Sequence, residues 1–131
     1  MEYFLILRLT LSCLILVDLQ NSDTHLNWEF VCLVVLQLCC NQLTGNIPTE
    51  IGSLKRLSVL ALQYNRLDGK IPASLGNSGM LRRLDLSFNR LIGAIPTTFA
   101  DIPQLEILDI RNNTLSGNVP SGNFVSPRLT P

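Results

Sequence analysis

Histidine is nearly missing from this chain of 131 residues, with His25 standing alone, and charged residues make up only 15% of it. Ten basic residues against ten acidic ones leave no formal net charge. Nothing in that balance would draw the chain to nucleic acid or to an anionic membrane through bulk charge. No serine or cysteine motif accompanies His25, so nucleophilic catalysis has no starting point and His25 reads as a polar linker residue. Glycine-rich phosphate loops and kinase catalytic segments are absent. The four cysteines, Cys13, Cys32, Cys39 and Cys40, have neither the number nor the spacing of a disulfide framework or a zinc site. Cys39 and Cys40 are neighbours at a strand end and should point to different sides, which disfavours a shared metal. No catalytic, cofactor-binding or metal-binding residue is therefore assigned, and the chain is not expected to be an enzyme.

Long apolar runs are lacking too. Crossing a bilayer as a helix takes about 20 consecutive apolar residues. The apolar segment of residues 1–20 is interrupted by Arg8 and ends at Asp18. A secretory signal starts with positive charge and ends at a small-residue cleavage site, whereas here Glu2 precedes Arg8 and no such site follows Val17. Two readings stand for residues 1–20: a signal peptide or signal anchor, and a buried N-terminal segment. Residues 21–32, polar from Asn21 to Asn27, read as a linker leading into a degenerate N-terminal cap.

What the chain has is apolar content, at 47%, and repetition. Leucine opens four copies at Leu33, Leu57, Leu81 and Leu105, one every 24 residues. Asparagine follows at Asn41, Asn65, Asn89 and Asn113, and glycine at Gly45, Gly69, Gly93 and Gly117. An apolar residue and proline close each motif, at Pro48, Pro72, Pro96 and Pro120. The repeats divide as 33–56, 57–80, 81–104 and 105–124, and residues 125–131 are expected to be a frayed, disordered tail. The fourth copy breaks down after Pro120, where Asn123 takes an apolar slot.

Each copy can be built from its residues. The alternation in Leu36 and Leu38, repeated in Leu60 and Leu62, Leu84 and Leu86, and Leu108 and Ile110, is the period of a strand with one buried face. An asparagine amide both donates and accepts, so an inward column of Asn41, Asn65, Asn89 and Asn113 can satisfy backbone groups stranded where the chain bends. Glycine opens backbone angles closed to other residues and proline holds its predecessor extended, which predicts a short second strand and a turn over residues 45–48 and their equivalents. Ile51, Leu75 and Phe99 then return to the core on short helical turns. Ser78 occupies the slot that Leu54 and Ile102 fill in neighbouring copies, so that side is expected to be loosest over residues 77–79.

Superposed, the copies read L-x-x-L-x-L-x-x-N-x-L-x-G-x-[IV]-P, which resembles the plant-type extracellular subclass of leucine-rich repeats. Trp28 to Cys32, W-E-F-V-C, resembles the close of the N-terminal cap in such proteins, with Phe30 in the place of a glycine. The resemblance implies an α/β repeat solenoid: a right-handed coil with a parallel β-sheet on the concave face and short 3-10 or helical turns on the convex face. It further implies part of a receptor-like kinase ectodomain, recognising a ligand or co-receptor outside the cell. Two alternatives are an inhibitor of cell-wall-degrading enzymes, like the polygalacturonase-inhibiting proteins, and a truncated gene product without independent function.

In such a coil the strand residues between the buried leucines face the open side. One column reads Val35, Val59, Arg83, Ile107; the next Gln37, Ala61, Asp85, Asp109; the third Cys39, Gln63, Ser87, Arg111. At the strand ends stand Cys40, Tyr64, Phe88 and Asn112. Aromatic residues and arginine dominate protein interfaces, so Tyr64, Arg83, Asp85, Phe88, Asp109 and Arg111 are the expected contacts for a protein or peptide ligand or a co-receptor. The competing reading is that Arg83 and Arg111 only neutralise Asp85 and Asp109. Asn112-Asn113-Thr114 is an acceptor for N-glycosylation at Asn112, in keeping with an extracellular or cell-surface location. A membrane enters only through an N-terminal or missing anchor.

Overall fold

The computed structural model describes residues 33–122. The expectations for residues 1–32, including Cys13, His25 and Cys32, and for residues 123–131 lie outside the described residues.

Strict alternation of large apolar and outward side chains makes the first set of strands. These are β1 (Val35–Gln37), β3 (Val59–Ala61), β5 (Arg83–Asp85) and β7 (Ile107–Asp109). They form one parallel sheet in the order β1-β3-β5-β7. Leu36 pairs with Leu60, Leu60 with Leu84, and Leu84 with Leu108, so one step across the sheet is one repeat along the sequence. These leucines are buried, as are the opening leucines that stand two residues before each strand.

The second set comprises β2 (Thr44–Asn46), β4 (Arg66–Asp68), β6 (Ile92–Ala94) and β8 (Thr114–Ser116). They pair as β2 with β4 and β6 with β8, and a lone bridge from Lys70 to Ile92 spans the middle. These strands begin one residue before the glycine in β2 and β6 and three before it in β4 and β8, and all stop before the proline, which has no N–H to give a ladder. Gly45 and Gly93 fall at a strand centre and Gly69 and Gly117 directly follow a strand, all with φ between +73° and +81°, a conformation that side-chain-bearing residues resist. Pairing here links Thr44 to Arg66, a step of 22 residues, so this ladder is sheared by two residues relative to the first sheet.

Pro48, Pro72 and Pro96, with φ of −62°, −67° and −58°, then lead into three 3-10 turns, Thr49–Ser53, Ala73–Asn77 and Thr97–Asp101. Short length suits this helix type, whose hydrogen bonds are poorly aligned. Each turn drops one large side chain, Ile51, Leu75 or Phe99, into the core. The turns stack closely: a Cβ on Gly76 would stand 2.5 Å from the Thr98 side chain, and one on Gly52 would overlap the Ser74 carbonyl. Hydroxyls tie them together, Ser74 Oγ donating to the Thr49 carbonyl at 2.7 Å and Thr98 Oγ1 to that of Ala73 at 3.0 Å. The result is a solenoid, with the core enclosed between the four-stranded sheet and the column of turns.

The bend after each strand is held by asparagine. Asn65 Nδ2 donates to the carbonyls of Leu62 and of Leu38 in the preceding coil, at 3.0 and 2.9 Å, while its Oδ1 accepts from the Leu43 N–H at 3.1 Å. Asn89 and Asn113 repeat these bonds one and two coils on. Asn41 donates within its own coil, to the carbonyls of Leu38 and Cys39.

Ser78 departs from its column. It is wholly buried where Leu54 and Ile102 lie in adjacent coils, and its Oγ has no hydrogen-bond partner.

Candidate functional site

Short strands of fixed register put the outward residues into columns, and the columns are unequal. Val35, Arg83 and Ile107 are exposed and Val59 is half-buried. In the next column Gln37 is exposed, but Ala61, Asp85 and Asp109 are buried, each carboxylate residue being only 6% exposed. Asp85 and Asp109 face each other across β5 and β7. Two adjacent carboxylates repel unless cations lie close, and two do. Arg83 Nη2 stands 3.5 Å from Asp85 Oδ2, and Arg111 Nη2 stands 3.0 Å from Asp109 Oδ2.

The remaining carboxylate oxygens are used locally. Asp85 Oδ1 accepts from Ser87 Oγ at 2.7 Å and from the Ser87 N–H at 3.2 Å, and Asp109 Oδ1 accepts from the Arg111 N–H at 3.3 Å. The pairing therefore exists, as the competing reading of the sequence held. The two guanidinium groups nevertheless remain accessible, their side chains 48% and 33% exposed. The carboxylates lie beneath the arginines, whose side chains are the more exposed members of each pair.

At the end of each strand the chain turns through a left-handed corner. Cys40, Tyr64, Phe88 and Asn112 have φ of 60°, 57°, 54° and 52°. Left-handed geometry costs a residue other than glycine roughly 1–2 kcal/mol, so the surroundings must hold it. They do so with backbone bonds, since the N–H groups of Cys40, Tyr64 and Phe88 donate to the carbonyls of Gln63, Ser87 and Arg111 at 3.0, 3.1 and 3.0 Å. The corners are thus aligned, and the Tyr64 and Phe88 rings stack with centroids 4.3 Å apart and planes 14° from parallel. The Arg111 guanidinium lies over Phe88, 5.9 Å from the ring centroid. Tyr64, Phe88 and Arg111 form one layered group at the strand ends, and the Arg83 and Asp85 pair lies on β5 of the same sheet.

That stacking is the feature the sequence reading missed. Its signal was present, two aromatic residues one repeat apart in the same slot, but contact between them depends on side-chain rotation, which periodicity does not specify.

Chemistry has few footholds on this face. Burial, followed by its hydrogen bond to Cys40, pushes the Cys39 thiol above the usual range, so it is a weak nucleophile at neutral pH. Cys39 and Cys40 are free. Among the described residues no group of three or more His, Cys, Asp or Glu could hold a metal ion, and no helix is long and apolar enough to cross a membrane. Asn112 and Thr114 of the glycosylation motif are both exposed.

Comparison with known proteins agrees with the geometry. Residues 32–91 and 104–124 match two models of the leucine-rich repeat. No curated protein matches the chain. Among solved structures, it is 38% identical to a chain of the BIR3–SERK2 complex from Arabidopsis thaliana, with a TM-score of 0.62 over 65% of this chain and 46% of that one. It is 35% identical to a chain of the Arabidopsis receptor kinase HAESA in complex with the peptide hormone IDA and the co-receptor SERK1, with a TM-score of 0.68 over 71% of this chain and 16% of that one. A plant ice-binding protein is 38% identical, with a TM-score of 0.62 over 63% of this chain and 27% of that one. The chain spans less than half the length of each.

Proposed function

The chain belongs to the leucine-rich-repeat family, and from that premise we propose that it is a binding module that receives a protein or peptide on the outward, concave face of its four-stranded sheet. Its place is outside the cell, in ligand or co-receptor recognition as part of a receptor-like ectodomain. The observation that carries this reading is the layered group of Tyr64, Phe88 and Arg111, with Arg83 on the same sheet. Rigid aromatic and guanidinium surfaces, braced from below, lose little freedom when a partner arrives. Asp85 and Asp109 act here by positioning the two arginines. Both similar structures are complexes, one of a receptor kinase with a peptide hormone and a co-receptor and one between two proteins, which supports partners of those kinds. A glycan on Asn112 would lie at the last corner, beside this group.

The test is a binding screen of the immobilised chain against secreted peptides and receptor ectodomains. Arg83→Glu should lower the affinity of a recovered ligand at least ~10-fold, equivalent to about 1.4 kcal/mol; it also sets a further carboxylate near Asp85 and Asp109, so the unfolding temperature should fall modestly while the chain stays folded. A ligand that binds wild type and Arg83→Glu equally well would remove this face from the assignment.

A further inference from the structure

Resting on the reading of this face as a peptide-binding surface, we propose that the first strand-end corner, over Cys40 and against the free face of Tyr64, is a slot for one aromatic side chain of a peptide partner. That side chain enters as a further layer of the Tyr64 and Phe88 stack.

The corners at Cys40, Tyr64 and Phe88 share one backbone pose, with φ from 54° to 60° and the same N–H bond to the next coil. Their Cβ atoms therefore leave the chain in equivalent directions, one strand spacing of about 4.8 Å apart. Tyr64 and Phe88 fill two successive layers, 4.3 Å apart. The outer face of Phe88 is covered by Arg111. Among the described residues Tyr64 has no such cover on the side of the first coil, where the equivalent residue is Cys40, an exposed side chain ending in one sulfur atom, and Tyr64 itself is 52% exposed. A ring entering there would meet a parallel ring on one side at a normal stacking distance.

The surroundings select a neutral ring over a guanidinium. The strand-face residues of the first two coils are Val35, Gln37, Cys39, Val59, Ala61 and Gln63, none of them charged. An arginine inserted here would find no carboxylate among them, whereas in the third and fourth coils each arginine has one. An aromatic ring needs none.

The experiment pans a library of random linear peptides against the immobilised full chain. Selected peptides should share an aromatic residue, and replacing it with alanine should weaken binding ten-fold or more. Cys40→Phe should fold, because Phe88 already occupies the same left-handed corner, and should weaken the selected peptides at least ten-fold by filling the slot with its own ring. Cys40→Ser, which leaves the slot open, should keep affinity within two-fold. If Cys40→Phe does not fold, Tyr64→Leu takes its place and should cause the same loss. Peptides that share arginine instead of an aromatic residue, or that bind Cys40→Phe as tightly as wild type, would overturn the slot. If those same peptides are weakened by Arg83→Glu, the face still binds peptides and only the slot is wrong; a panning that selects nothing counts against both.

Discussion

Asparagine shows most directly how a single residue does structural work here. Asn89 Nδ2 reaches the carbonyls of Leu62, Leu86 and Ser87 at 3.0 to 3.2 Å, and its Oδ1 accepts from the Leu67 N–H at 3.1 Å. Removing the amide strands groups on two coils, and each buried unpaired group costs about 1–3 kcal/mol. Asn89→Ala should therefore lower stability by at least ~2 kcal/mol in urea unfolding. Asn41→Ala, which among the described residues loses only bonds within its own coil from an exposed position, should cost less, and equal losses would contradict the coil-to-coil role. The asparagine column was legible in the sequence because a residue that both donates and accepts recurs wherever the chain must bend. The fate of Asp85 and Asp109 was not legible. Alternation placed them outward, but their neighbours Arg83, Ser87 and Arg111 cover them, and that depends on where long side chains come to rest.

At the scale of the element, the second 3-10 turn is the weak member of its column. Ser78 closes it with a buried hydroxyl that has no partner, in a slot filled by Leu54 and Ile102 on either side. A hydroxyl held away from water without a hydrogen bond costs about 1–3 kcal/mol by mutational measures. Ser78→Ala should consequently raise stability by about 1 kcal/mol, read as a higher midpoint in thermal or urea unfolding; a lower midpoint would mean that the hydroxyl is satisfied after all. The mismatch could be read from the sequence by laying the copies on one another, and so could the turns themselves, through proline and the apolar residue three places on. The start of the second strand could not, because the glycine stands at its centre in two copies and just past its end in the other two. The closeness of the turns was equally hidden, since Gly52 and Gly76 look like ordinary small residues until the next coil is packed against them.

As a whole the molecule is close to one-dimensional, each coil bonding to the coils beside it. Its sheet order follows chain order, which is why the period alone was enough to predict the fold. One exposed ion pair, Arg82 with Glu106, links the third and fourth coils, and pairs so open to solvent contribute at most about 1 kcal/mol. Cohesion must therefore come from the buried leucines, the backbone ladders between coils and the asparagine bonds, all of which recur with the repeat. The outward face of the sheet has less symmetry than its scaffold, neutral in the first half and charged in the second, so the two ends of the face are chemically distinct.

The coil-to-coil asparagine bonds, each reaching back to the same two backbone groups of the preceding turn, make the copies interchangeable. Excising residues 57–80 would bring Asn89 to the Leu38 carbonyl and the Leu43 amide that Asn65 now holds. That shorter protein should still melt in one cooperative step by circular dichroism, at a lower temperature. Excising residues 57–68 instead would remove β3 and β4 but keep the second 3-10 turn, leaving the column of turns one member longer than the sheet, and should abolish the transition. The chain is spelled so that it can lose a whole word and still be read, but cannot lose half of one.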